Sequence, residues 1–166
     1  MIPIDELKKI KLVCFDFDGV FTNNFVYVDQ NGIESVRCFR SDGIGIERLK
    51  KTGIKIYIIS TEKNPVVSQR AKKLNIPVMQ GISDKGLAIK EICKELNLLP
   101  NQSMFIGNDI NDISAFKSVR YPIGVADSFP EIDKYIINKT TKKGGEGAVR
   151  EICDMILHAH EDMDAD

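Results

Sequence analysis

The sequence predicts an α/β chain: a doubly wound, mostly parallel sheet with a short β-hairpin after its first strand. Three observations predict it. Short β-prone apolar runs alternate with helix-length segments along the chain. The first run, Leu12 to Phe15, is apolar throughout, as in a strand buried on both faces. At 166 residues the chain is long enough for one domain with a proper core, taken as 1–166.

The first strand stops at an acid. Asp16 and Asp18 lie two residues apart, so both side chains point the same way while the chain stays extended, and Gly19 permits a sharp turn out of the strand. Two carboxylates at the end of a buried strand repel each other, which requires a cation, a shared proton or a ligand. Phe25 to Val28 and Ser35 to Phe39 are β-prone runs separated by Asp29-Gln-Asn-Gly32, which predicts a hairpin over about 25–39. A helix follows from about 43 to 52, with Gly53 as its stop. Lys55 to Ile59 is the next buried strand and ends at Ser60. Pro65 suits the first turn of a helix reaching Leu74. Ile76 to Met79 forms a short strand, and Ser83-Asp84 caps a helix to about Asn97. Ser103 to Ile106 is a strand ending at Gly107-Asn-Asp-Ile-Asn-Asp112. A short helix to about Lys117, a strand at 121–124 and a helix at about 146–158 complete the series, with a frayed tail expected over 158–166.

Composition excludes several classes. Lys and Arg number 23 against 24 Asp and Glu, so the electrostatic footprint of a nucleic-acid binder is missing. No apolar stretch approaches the length needed to span a membrane, and the opening Met-Ile-Pro-Ile-Asp-Glu has no signal-peptide character. Cys14, Cys38, Cys93 and Cys153 are scattered, with no Cys-x-x-Cys pair. They read as reduced thiols of a cytoplasmic protein rather than a zinc site.

Parallel strands bring the polar residues that follow them to one edge of the sheet. Asp16, Asp18, Ser60 and the 108–112 cluster would meet there, joined by Lys85 from a helix start. Acids for a hard cation, with a hydroxyl and an ammonium for an anion, suit a phosphate held against magnesium.

Asp16-Phe-Asp18-Gly-Val-Phe-Thr22, Ser60, Lys85 and Gly107-Asn-Asp-Ile-Asn-Asp112 are similar, in type and order, to the four motifs of the haloacid dehalogenase-like phosphohydrolases. Arg40-Ser-Asp-Gly-Ile-Gly45, Gln80-Gly-Ile-Ser-Asp-Lys85 and Gly144-Gly-Glu-Gly-Ala-Val-Arg-Glu151 narrow the match. Together they resemble the small, nearly capless branch that includes 3-deoxy-octulosonate 8-phosphate phosphatase and the phosphatases of nine-carbon keto-deoxy sugar acids. The resemblance covers about residues 8–157 and implies a Rossmann-like fold with the hairpin in place of a cap domain. It also implies a magnesium-dependent phosphatase acting on a sugar-acid phosphate. Asp16 would be the nucleophile and Asp18 the acid and base, with Ser60 and Lys85 holding phosphoryl oxygens. Asp16, Asp18 through its backbone carbonyl, and Asn108 or Asp109 would hold the metal. Most relatives have an aspartate where this chain has Asn108, and an amide lacks the negative charge. Similar asparagine-containing loops occur in domains fused to acylneuraminate cytidylyltransferases, so an inactive oligomerisation module is the alternative.

For the substrate, the resemblance points to Glu62, Arg70 and Lys73, which match pocket positions of the nine-carbon members. Arg40 and Asp42, just after the hairpin, are further candidates for sugar hydroxyls or a carboxylate. Octulosonate enzymes tend to have Arg where this chain has Glu62, which favours a nine-carbon acid over an eight-carbon one. Hairpins of this kind associate into a homotetramer in the family, and the Lys142–Gly147 segment, expected to be flexible, serves there as a tail reaching an active site.

Overall fold

The computed structural model describes residues 2–161. Its elements, in chain order, begin with α1 (Ile4–Leu7), β1 (Leu12–Phe15) and the two-strand ribbon β2 (Tyr27–Val28) and β3 (Glu34–Ser35). Next come α2 (Asp42–Lys51), β4 (Lys55–Ile59), α3 (Val66–Leu74), β5 (Val78–Met79) and α4 (Lys85–Glu95). β6 (Ser103–Gly107), α5 (Ile113–Phe116), β7 (Tyr121–Gly124), β8 (Asn138–Lys139) and α6 (Ala148–Glu161) follow. Among the described residues the main sheet has six strands in the order β5-β4-β1-β6-β7-β8, every pairing parallel. Of the tail expected to fray over 158–166, residues 158–161 belong instead to α6, and the rest lies outside the described residues.

Alternation along β1 explains the double winding. Val13 and Phe15 face a core built with Ile46 and Leu49 of α2, Val67 and Ala71 of α3, and Ile152 and Ile156 of α6. Leu12 and Cys14 face the other core, with Ile89 and Ile92 of α4 and Phe116 of α5. A strand covered on both faces has no polar side to show, hence its unbroken apolar run. β1 lies between β4 and β6, with Phe15 paired to Ile58 on one side and Ile106 on the other. The residues that follow these three strands therefore emerge side by side.

The hairpin exists but is shorter than expected. Its paired strands have two residues each, Tyr27 opposite Ser35 and Val28 opposite Glu34. Asp29 closes the turn, its Oδ1 accepting the N–H groups of Asn31 and Ile33, both at 2.8 Å. Three features were absent from the sequence reading: α1, the 3-10 turns at Pro100–Gln102 and Pro130–Tyr135, and strand β8. Among the described residues no helix is long and apolar enough to cross a membrane.

Candidate active site

Asp16 leaves β1 with its N–H bonded to Ile106 O (2.9 Å), so the sheet ladder itself places the carboxylate. Its Oδ1 accepts the Phe17 N–H at 2.7 Å and pairs with Lys85 Nζ at 2.7 Å, while Oδ2 carries no bond among the described residues. Lys85 is fully buried at the first turn of α4 and makes a second 2.7 Å ion pair, to Asp112 Oδ1. The helix start is fixed by Asp84, whose side chain accepts the Leu87 N–H (3.1 Å). Burial, then the charge of Asp112, raises the Asp16 carboxyl above the ordinary carboxylate range, with Lys85 opposing. For Lys85 burial acts downward, but the two carboxylates more than reverse it and hold the ammonium above its usual value.

Asp18 is half-buried at the mouth. Burial raises its carboxyl, the nearby charges of Glu62 and Glu34 raise it further, and Lys85 opposes. A carboxyl biased towards its protonated form suits a general acid. The turn between them and the hairpin is held by Thr22, a fully buried residue whose Oγ1 accepts from Gly19 N (3.1 Å) and Asn24 N (3.2 Å). Gly19 has φ +76° and lies against Asn108: a Cβ there would stand 2.1 Å from Asn108 Nδ2. Only glycine allows that approach.

Ser60 is buried, its Oγ accepting the Glu62 N–H at 3.0 Å and its O–H left to donate. Asn108 is buried against the loop that follows Asp16, and its N–H donates to Asp112 Oδ2 (2.8 Å). Asp109, half-buried, turns Oδ1 to its own Ile110 N–H (2.7 Å), capping the 3-10 turn at Ile110–Asp112. Among the described residues no group of three or more His, Cys, Asp or Glu side chains could hold a metal. The donors that the resemblance assigns to a metal are all oxygen: the Asp16 carboxylate, the Asp18 backbone carbonyl and the Asn108 amide, with Asn108 lying against Gly19 of the Asp16 loop. They fit a hard cation such as magnesium, which tolerates few protein ligands.

The expected substrate residues divide into three groups. Glu62 lies at the mouth, its Oε1 accepting from Lys63 N (2.6 Å) and Asn64 N (2.8 Å). Arg40, Arg70 and Lys73 line a separate cavity of about 500 Å³ with Cys38 and Glu47; neither Asp16 nor Asp18 lines it. Arg70 donates to Phe39 O (3.1 Å), while its buried Nε has no partner among the described residues. Asp42 departs from expectation. It is fully buried between α2 and α6, Oδ1 accepting the Arg150 N–H at 3.1 Å and Oδ2 without a partner. Burial pushes its carboxyl up to about 7, and it is closed to a sugar because α6 covers it. Residues 142–147 also differ from expectation. They form no free tail but pack Gly144 and Gly145 on the Gly19–Asn23 loop of their own chain before entering α6.

Three participants went unassigned in the sequence. Asp112 was visible as part of a motif but not as the second partner of Lys85. Asn64, ahead of Pro65, carries a helix-start signal that could have found it: its Oδ1 accepts the Val66 N–H (3.1 Å) while its Nδ2 donates to Glu34 Oε2 (3.1 Å). Glu34 had no such signal, because only the folded hairpin brings it to the mouth.

The chain is similar to known proteins over most of its length. A family model described as haloacid dehalogenase-like hydrolase matches residues 48–152. The 3-deoxy-D-manno-octulosonate 8-phosphate phosphatase of Yersinia pestis is 34% identical over 163 residues, spanning 97% of this chain and 87% of that protein. The enzyme of that name from Moraxella catarrhalis, solved with magnesium, phosphate and KDO, superposes with a TM-score of 0.91 at 33% identity, covering 98% of this chain and 94% of the other. The cobalt-bound deoxy-D-mannose-octulosonate 8-phosphate phosphatase of Haemophilus influenzae gives a TM-score of 0.89 at 30% identity, covering 94% and 92%.

Proposed function

This chain belongs to the haloacid dehalogenase-like hydrolases, and from that premise we propose that it is a magnesium-dependent phosphatase removing the terminal phosphate of a 3-deoxy-2-keto sugar acid. The observation that carries the reading is the buried Asp16–Lys85–Asp112 triad with half-buried Asp18 two residues along. Oδ2 of Asp16 attacks phosphorus, forming an aspartyl phosphate as the ester P–O bond breaks. Asp18 gives its proton to the departing sugar oxygen. Asp18 then takes a proton from water, which attacks phosphorus and releases inorganic phosphate from Asp16. Ser60 and Lys85 hold phosphoryl oxygens through a hydroxyl and a point charge. Asp16, the Asp18 carbonyl and Asn108 would hold magnesium, which when bound would supply positive charge against those oxygens.

Asn108→Asp restores a charged ligand and is expected to tighten the apparent magnesium affinity, on the order of tenfold. Titration of phosphate release with magnesium measures it; an unchanged midpoint moves the ligand role to Asp109.

The relatives named above are named for the eight-carbon ester. Glu62, with one oxygen committed to the loop and the other able to accept from hydroxyl or amide groups, supports a nine-carbon acid here. Phosphate release from 8-phospho-octulosonate and 9-phospho-nonulosonates decides between them: kcat/KM is expected to be higher for the nine-carbon ester. An eight-carbon preference would confine Glu62 to bracing the loop. No turnover of either ester would leave the second reading, an inactive oligomerisation module, which Asn108 favours.

The hairpin supports a homotetramer. Phe25, Tyr27, Val28 and Ile33 are 70%, 56%, 60% and 66% exposed, an apolar surface that an isolated ribbon does not sustain in water. Arg40, Arg70 and Lys73, away from their own Asp16, would then serve the carboxylate of a substrate bound by a neighbouring copy. Sedimentation of Tyr27→Asp with Val28→Asp is expected to show single chains with a raised KM. A wild-type protein sedimenting as a monomer contradicts the tetramer.

A further inference from the structure

Resting on the assignment of Asp16 and Asp18 as the reacting groups, we infer that the Gly144–Gly145 turn is a positioning clamp for the nucleophile loop, locked from behind by Glu151. The turn meets the loop backbone to backbone. Gly145 N–H donates to Val20 O at 2.9 Å. A Cβ at Gly144 would stand 1.9 Å from Gly19 O and 2.9 Å from Thr22 O, and one at Gly145 would stand 2.4 Å from Asn23 N. Such distances leave no room for any side chain, and the obstructing atoms are main chain, so the loop itself would have to move. Gly19, whose carbonyl the turn covers, also lies against Asn108 on its other side. The loop between Asp18 and Asn23 is therefore gripped from two directions.

The clamp has its own supports. Gly144 N–H donates to Asp127 Oδ1 (3.0 Å). Glu151, one turn into α6, receives Thr141 N–H (2.8 and 3.0 Å), Thr141 O–H (3.0 Å) and Lys142 N–H (2.8 Å) on one carboxylate. Arg150, beside it, is fixed by Asp42 across the α2–α6 junction. That junction is tight, since a Cβ at Gly45 would stand 2.8 Å from Arg150 Cδ and 2.9 Å from Cys153 Cβ. Gly144 and Gly145 thus meet the Gly19–Asn23 backbone directly, and Glu151 holds the 141–142 segment that leads into them. In-line attack depends on where Asp16 and Asp18 stand, and a misplacement of about 1 Å can cost about a hundredfold in rate.

The test uses the full chain with Gly144→Ala and Glu151→Gln, each read in two ways. Hydrogen–deuterium exchange compares residues 17–24 with the β6 segment 103–107. Steady-state kinetics with magnesium separates kcat from KM. For Gly144→Ala we expect faster exchange at 17–24, unchanged exchange at 103–107, and kcat lowered about a hundredfold with KM near the wild-type value. Glu151→Gln keeps an acceptor while losing charge and should move both readouts in the same direction by less. If Gly144→Ala does not fold, Glu151→Gln decides. A folded variant with wild-type exchange at 17–24, or with wild-type kcat, overturns the clamp. Wild-type protein that hydrolyses no ester overturns the phosphatase reading instead, and exchange alone then decides whether the turn holds the loop.

Discussion

Asp16→Asn is expected to lower magnesium-dependent phosphate release by at least roughly a thousandfold, with the fold intact. The substitution keeps shape and one acceptor oxygen, so the Phe17 N–H bond to Oδ1 can persist. What disappears is the charged oxygen proposed to attack phosphorus, and no neighbouring group is placed to take over. Asp18 is the next carboxylate along the chain, but burial, Glu62 and Glu34 raise its proton affinity, which suits a proton donor better than a nucleophile. Asp112 is fully buried and committed to Lys85 and the Asn108 N–H. Assays on purified variant and parent, with circular dichroism to verify folding, measure the effect. Residual activity within about tenfold of the parent would place the nucleophile elsewhere.

Lys85→Met is expected to have the largest effect on stability, about 3–5 kcal/mol, because it breaks a buried ion pair by removing one side only. Lys85 is fully buried, and its two 2.7 Å partners would be left as uncompensated carboxylates in the sheet edge. Against a total of about 5–15 kcal/mol for a domain, that loss is large. Adding Asp112→Asn to Lys85→Met should recover part of it by removing one stranded charge. Urea denaturation of the two variants and the parent measures both steps. A single variant as stable as the parent would mean that water reaches Asp16 and Asp112 freely.

These effects show which parts of the molecule could be read from sequence. The Asp16-to-Thr22 stretch was legible because strand, turn and spacing are local facts, and the alternation of strands and helices told where that strand would end. Lys85 and the 108–112 cluster were recognisable by type, but the pairing of Lys85 with Asp112, 27 residues apart, depends on how α4 meets the end of β6. Asp42 was misplaced for a related reason: its burial is decided by α6, which arrives at the end of the chain. Strand β8 escaped because two half-buried polar residues, Asn138 and Lys139, have no periodicity, and only backbone pairing to Ile123 and Gly124 defines them. Gly144 and Gly145 read as flexibility in isolation. Packed on another backbone, the lack of a side chain is what lets the turn approach closely.

The most direct measurement is chemical capture of the intermediate. Protein turning over a sugar-acid phosphate with magnesium is quenched, treated with borohydride and mapped by mass spectrometry. Borohydride reduces an acyl phosphate to an alcohol, releasing phosphate, so homoserine should replace aspartate at residue 16 alone. Active protein that leaves Asp16 unreduced, or that carries the modification at Asp18, would contradict nucleophilic attack by the first carboxylate of the loop.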